Sequence, residues 1–190
     1  MNYHASTIIN NVLAGLKYLH DQGWVHCDVK PDNFLVDDKG KCKLIDFALA
    51  VRIPTRLGRL FGAGTSKTIA GTRSYMSPEQ IRHKSLDHRS DIYSLGCLLT
   101  EITTGKLPFT GSSPENLLAR HLRMKAPPIC SVNTNITQEF SDLVDEMLGK
   151  KPEDRPKSIA LILGRLNSMR IYKANPIHPS NMSSDNDAEF

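Results

Sequence analysis

His26-Cys27-Asp28-Val29-Lys30-Pro31-Asp32-Asn33, followed thirteen residues after Asn33 by Asp46-Phe47-Ala48, is the stretch on which the reading of this chain turns. Between its two parts lie two short apolar runs, Phe34-Leu35-Val36 and Cys42-Lys43-Leu44-Ile45, separated by Asp37-Asp38-Lys39-Gly40. Short apolar runs joined by Asp and Gly predict a β-hairpin. A tight hairpin folds the chain back on itself, so Asn33 before the first strand and Asp46 after the second come close together. Asp28, Lys30, Asn33 and Asp46 then share one pocket.

Outward from this hairpin the pattern is mostly helical. Ile8, Ile9, Val12, Leu13, Leu16 and Leu19 recur at helical spacing and predict an amphipathic helix over about residues 4 to 21, stopped by Gly23. Residues 47 to 76 read as a long loop, with Pro54 and Gly58, Gly62, Gly64 and Gly71 and little periodicity. A loop of that length in a compact domain is usually functional or disordered. Further helices are expected near 78 to 82, 88 to 104, 114 to 122, 137 to 148 and 157 to 171, the last two separated by Pro152 and Pro156. From Asn175 onward Asn, Ser and Asp dominate. Residues 1–172 therefore read as one folded unit, and 173–190 as a disordered tail or linker. There is no internal repeat.

The chain has 190 residues, enough for one domain with a real core. Its net charge of +4 is mild and reads as a solubility feature rather than a nucleic-acid footprint, so no nucleic-acid partner is expected. Cys27, Cys42, Cys97 and Cys130 match no zinc spacing and form no Cys-x-x-Cys pair; they read as reduced thiols of a cytoplasmic protein. No secretory signal opens the chain and no apolar run approaches the roughly 20 residues of a membrane span.

The shared pocket suggests a chemistry. Triphosphate transfer needs hard oxygen ligands for Mg²⁺, a cation on the moving phosphate, and a carboxylate to orient the attacking hydroxyl. Asn33 and Asp46 offer the oxygens, Lys30 the mobile positive charge, and Asp28 the carboxylate. An ordinary acidic loop capped by its own Asn and Asp side chains would account for any one of these residues, but poorly for the set.

The segment resembles the catalytic loop of protein kinases, His-Arg-Asp-x-x-x-x-Asn, and Asp46-Phe47-Ala48 resembles the Asp-Phe-Gly motif. Further matches follow in the family's order. Gly71-Thr72-Arg73-Ser74-Tyr75-Met76-Ser77-Pro78-Glu79 resembles the end of the activation segment, and Asp91-Ile92-Tyr93-Ser94-Leu95-Gly96 the start of the central helix of the large lobe. Thr104-Gly105-Lys106-Leu107-Pro108-Phe109 resembles the turn after that helix, and Arg155-Pro156 the Arg near the end of the fold. The likeness covers roughly residues 5 to 170 and is closest to bacterial serine/threonine kinases of the eukaryotic type.

This resemblance implies a mainly α fold: a kinase large (C-terminal) lobe with a short β-hairpin carrying the catalytic and metal-binding loops. It implies ATP and Mg²⁺ as cofactors and a protein substrate presenting Ser or Thr. Asp28 would accept the hydroxyl proton, and Lys30 would neutralise the transferred phosphate. With Thr72, Lys30 would also mark serine/threonine specificity. Asn33 and Asp46 would hold Mg²⁺, and Leu35 would lie beneath the adenine. His26 and Phe47 would stack in a hydrophobic spine anchored by Asp91, and Glu79 would pair with Arg155. Elsewhere the residues read as structural: His4, His20, His83, His88, His121 and His178 on the surface, Trp24 in the core. Arg52, Arg56, Arg59, Lys67 and Arg73 form an acid-free basic stretch that could attract phosphate or be merely solvated; Thr65, Ser66 and Thr68 are candidate phosphorylation sites within it.

Three departures from the family pattern stand out. No Gly-x-Gly-x-x-Gly occurs, and the small β lobe, which would precede Met1, is absent, so this polypeptide alone is expected to bind ATP weakly and to be weak or inactive. Cys27 replaces the Arg that reads a phosphorylated loop through charge-assisted hydrogen bonds. Ala48 replaces a Gly, restricting the backbone after Asp46. Two other readings compete with a kinase lobe: a non-catalytic, pseudokinase-like docking module, and a small-molecule phosphotransferase with a similar loop. The Ser77-Pro78-Glu79 and 91–96 motifs argue against the latter.

Overall fold

A computed structural model describes residues 4–53 and 72–174. Among these the chain is mainly helical. It runs α1 (Ala5–Asp21), β1 (Trp24–Val25), β2 (Phe34–Val36), β3 (Cys42–Leu44), β4 (Val51–Arg52), α2 (Pro78–Ile81), α3 (His88–Thr104), α4 (Pro114–Arg123), α5 (Ile129–Val132), α6 (Gln138–Met147) and α7 (Ile159–Asn167), with single 3₁₀ turns at Pro31–Asn33, Arg73–Tyr75 and Pro152–Asp154. This is the mainly α arrangement that the resemblance implies, and no full β lobe occurs among the described residues. No described helix is long and apolar enough to cross a membrane.

The core is organised by α3. Every residue from Ser90 to Thr100 is buried, so the helix is covered on all sides rather than along one stripe. Asp87 caps its start by accepting the N–H of Arg89 at 2.9 Å. Gly105 ends it with φ 70°, a left-handed conformation that glycine adopts without steric cost. Midway, a Cβ on Gly96 would come within 3.1 Å of Met147 and Leu148, so the missing side chain is what lets α6 approach α3 closely. α1 buries Ile9, Val12, Leu13 and Leu16 of the stripe that the periodicity predicts, and Ala5 with them, while Ile8 and Leu19 are only partly buried. Truncating a fully buried member such as Leu13 to alanine would cost about 2–5 kcal/mol.

The predicted hairpin forms as an antiparallel pair with Phe34 opposite Leu44, Leu35 opposite Lys43 and Val36 opposite Cys42. Its turn is closed by Asp37, whose Oδ1 accepts the N–H groups of Lys39 (3.0 Å) and Lys41 (2.7 Å), with Gly40 at φ 78°.

Several expectations are corrected. The predicted loop from 47 begins with a strand: Val51–Arg52 pairs with Trp24–Val25, and Ile53 N–H reaches Gly23 O at 2.8 Å. Trp24 is not core but 39% exposed, because side chains alternate along a strand and it is Val25 that points inward. His121 is fully buried, between Tyr93 and Phe109, and His20 is largely buried against Asp91. The last helix stops at Asn167; the chain then turns so that Tyr172 bridges to Ile136. Thr65, Ser66, Thr68, His178, Arg56, Arg59, Lys67 and most of the 173–190 tail lie outside the described residues.

Candidate active site

The loop from β1 to β2 is held from below by α3. Asp91, 1% exposed, accepts the backbone N–H of His26 on Oδ2 (2.7 Å) and that of Cys27 on Oδ1 (2.8 Å), and His20 Nε2 also contacts Oδ2 at 2.8 Å. Cys27 sits at φ 68°, unusual for a residue with a side chain. His26 is fully buried; its Nδ1 accepts the Asp28 N–H (3.3 Å) and its Nε2 lies 3.1 Å from Ile45 O, an assignment in which Nε2 carries the proton. Its ring lies 5.4 Å from that of Phe47, so the predicted stacking pair is brought together.

Asp28 is the hub of what stands above. Its Oδ1 accepts the backbone N–H of Thr72 at 2.9 Å, and its Oδ2 accepts from Lys30 Nζ (2.9 Å) and Asn33 Nδ2 (3.1 Å). Lys30 Nζ also donates to Thr72 Oγ1 at 2.9 Å, and Asn33 Nδ2 to Asp28 O at 2.7 Å. Burial alone would push the Asp28 carboxyl up. The hydrogen bonds from Lys30 and Thr72, the Lys30 charge and the Asn33 amide outweigh it and hold the group below its ordinary value. Lys30 moves up correspondingly, chiefly through its bond to Asp28, with Asp32 and Asp46 contributing charge.

Asp46 follows directly on the hairpin, near enough for its charge to act on Lys30. Ile45 N–H donates to Asn33 O at 3.0 Å, which places Asp46 at the mouth of the hairpin beside Asn33. Asp46 adopts φ 58° and its Oδ1 accepts the Ala48 N–H at 3.2 Å, leaving Oδ2 without a donor among the described residues. The Asn33 amide spends its NH₂ on Asp28, so among the same residues its Oδ1 is likewise unengaged. Two such hard oxygens fit Mg²⁺, which binds through one or two protein ligands and fills its remaining positions with water and phosphate oxygens. They do not fit a dedicated protein cage: no group of three or more His, Cys, Asp or Glu suited to a metal occurs among the described residues.

The other predicted residues lie outside this hydrogen-bonded set. Leu35 is 57% and Phe47 50% exposed, apolar surface on the open side of the hairpin. Glu79 and Arg155 form a buried, bidentate pair at 2.7 and 2.9 Å. Ser90 Oγ donates to Glu79, and Arg155 also donates to Gly149 O and Arg89 O. Burial raises the Glu79 carboxyl, but the Arg155 bonds and charge more than reverse it and the net direction is down. His20 is a supporting residue that sequence reasoning missed; its contact lies 71 positions away and leaves no local signal.

A family model described as the protein kinase domain matches residues 2–163. Among curated proteins, a probable serine/threonine-protein kinase of Clostridium perfringens is 33% identical over 179 residues, covering 94% of this chain and 25% of that protein. The serine/threonine-protein kinase PknB of Mycobacterium tuberculosis is 34% identical over 174 residues, 90% of this chain and 27% of that protein. PknL of the same species is 37% identical over 148 residues, covering 78% and 36%. The chain thus spans between a quarter and about a third of the length of these relatives.

Proposed function

Because this chain belongs to the protein kinase domain family, we propose that it forms the catalytic large lobe of a serine/threonine protein kinase, which transfers the ATP γ-phosphate to Ser or Thr hydroxyls of a protein substrate. The observation that carries the reading is the closed set of hydrogen bonds joining Asp28, Lys30, Asn33 and Thr72. In it Asp28 is ionised and aimed, and serves to orient the attacking hydroxyl and accept its proton. A carboxylate held low is a poor strong base, but a loose phosphoryl transition state asks for positioning more than for basicity. Lys30 supplies positive charge to the transferred group, and its bond to Thr72 ties that charge to the segment that would meet the substrate. Asn33 and Asp46 would hold Mg²⁺, which when bound neutralises charge on the phosphates. Leu35 would floor the adenine. His26, Phe47, Asp91, Glu79 and Arg155 support the frame.

Residues 1–172 form the lobe in this reading, the Ile136–Tyr172 bridge marking its end, and 173–190 a tail or linker. A cytoplasmic location accords with four free cysteines. A second reading, a non-catalytic docking module, draws on the exposure of Leu35 and Phe47, since the described residues form only one wall of a nucleotide cleft. The discriminating experiment is a kinase assay on the full-length protein beside Asp28→Asn. Phosphate transfer abolished by the substitution supports the first reading; no transfer, or transfer unaffected by it, supports the second.

A further inference from the structure

Gln80 lies in α2, yet its side chain reaches the loop that carries Asp28. It is 8% exposed and its amide is engaged at both ends. Oε1 accepts from the backbone N–H (3.0 Å) and the hydroxyl (2.9 Å) of Ser77, while Nε2 donates to the carbonyl of Cys27 at 2.8 Å, across 53 residues. The first contact, with the Gln80 N–H donating to Ser77 Oγ at 3.4 Å, makes the capping box that starts α2, and the second adds to it. The third has no part in capping a helix.

What it holds is a peptide of the site in an unfavourable backbone conformation. Cys27 is left-handed, a conformation that costs a side-chain-bearing residue free energy and persists only where its surroundings over-determine it. Asp91 fixes the N–H of Cys27 and Gln80 fixes its C=O. That C=O shares a rigid plane with the N–H of Asp28, which points to His26 Nδ1. Orienting the carbonyl therefore orients the plane from which the Asp28 side chain departs. The same stretch of chain, from Thr72 to Gln80, thus grips Asp28 twice: by the Thr72 N–H on the carboxylate, and by Gln80 on the preceding carbonyl.

We propose that Gln80 is a positioning residue for Asp28, acting through the Cys27 carbonyl and coupling the segment that precedes α2 to the geometry of the phosphoryl-transfer loop. This rests on the kinase reading above for its effect on rate, but not for its effect on the loop.

Gln80→Glu separates the two jobs of the side chain. Glutamate still accepts from Ser77 in a capping box, but an ionised carboxylate cannot donate to Cys27. In the full-length protein we expect kcat to fall about ten- to a hundredfold, the scale of a small misplacement of a reacting group, with the KM for ATP within about twofold. The deficit should shrink as pH is lowered, because the substituted carboxyl, once protonated, donates again. Ser77→Ala, which breaks the capping box but leaves the Cys27 contact, should lower thermal stability with kcat little changed. An unchanged kcat in Gln80→Glu, a deficit that does not vary with pH, or an equal kcat loss in Ser77→Ala would each overturn the proposal. Amide hydrogen exchange across residues 26–30 gives a readout independent of turnover. Faster exchange in Gln80→Glu than in the unsubstituted protein is expected, and unchanged exchange would overturn the proposal even if the activities differed. If exchange responds while the unsubstituted protein shows no Asp28-dependent transfer, the kinase reading fails and the loop-positioning role stands.

Discussion

Asp91 holds Cys27 by its backbone: Oδ1 of the buried carboxylate accepts the Cys27 N–H at 2.8 Å from 64 residues along the chain. Since Oδ2 takes the His26 N–H as well, one side chain on the central helix fixes two successive peptides of the loop that carries Asp28. The left-handed turn at Cys27 is sustained by this contact from the core rather than by the loop's own sequence.

Asp91→Ala leaves two buried N–H groups without an acceptor. Each unsatisfied buried donor costs about 1–3 kcal/mol, so a loss of roughly 2–6 kcal/mol in unfolding free energy is expected from urea denaturation. A loss under about 1 kcal/mol would mean that water or a rearranged side chain replaces the carboxylate.

What is legible in the sequence, and what is hidden, follows from contact distance. The hairpin is legible because Asn33 and Asp46 are joined by a short turn with its own Asp and Gly signals, and α1 because Ile9, Val12, Leu13 and Leu16 repeat with the helical period. The link of Lys30 with Thr72 is reached only through family resemblance, since 42 residues separate them, and the Thr72 N–H on Asp28, 44 residues away, is not foreseen at all. His20, His121 and Trp24 are misplaced by sequence reasoning for the same reason. Whether a histidine faces solvent or another helix depends on partners far along the chain, and whether Trp24 or Val25 points inward depends on the pairing of β1 with β4, two strands too short to carry a period.

Acid should destabilise the fold in two stages. Burial, helped by the nearby Lys150 charge, pushes His121 down to about 4. Unfolded, the same ring binds its proton near an ordinary pKa of about 6.5. Its neutral form is therefore favourable to folding above about 6.5, and that contribution is lost as pH falls from there toward 4. The scale is roughly 3 kcal/mol. Below this, Asp28, Glu79 and Asp87, all held low in the fold, take up protons in the unfolded chain first, so stability falls further as pH drops through their folded values. His121→Gln should flatten the curve between about pH 6.5 and 4 without altering the lower stage; denaturant midpoints measured from about pH 7 to 3 test this.

Glu79 and Arg155 are each satisfied by the other and by neighbouring groups in a site where both are nearly fully buried. Arg155→Met should cost about 3–5 kcal/mol, because it strands the Glu79 carboxylate rather than because the pair itself is strongly stabilising. The double variant Glu79→Leu with Arg155→Met should recover part of that loss. A double variant as unstable as the sum of the singles would show that the two residues act independently.

The 190-residue chain by itself should bind ATP no tighter than the high micromolar range. Nucleotide pockets bury most of their ligand, whereas Leu35 and Phe47 are half exposed and, among the described residues, Lys30, Asn33 and Asp46 offer the phosphates a single wall. Calorimetry on the isolated chain measures this directly, and submicromolar affinity would contradict it.

Cys27 stands where the resembling family places an arginine, and its environment decides what it can offer. The side chain is 6% exposed, and burial, with the charge of Asp91 added, pushes its thiol up to about 12. At neutral pH it is therefore an uncharged, buried group, able neither to attract a phosphate nor to act as a nucleophile. Two outcomes follow. Kinase activity of the full-length protein should be nearly the same before and after phosphatase treatment, since no cation at position 27 reads a phosphorylated segment; a large drop would contradict this. In the folded chain, iodoacetamide at neutral pH should modify the half-buried Cys130 before Cys27 or the fully buried Cys97, as peptide mass spectrometry would show. Early labelling of Cys27 would mean that the loop opens far enough to expose the peptide clamped between Asp91 and Gln80, and that the left-handed turn at this position is not held as tightly as its two hydrogen bonds indicate.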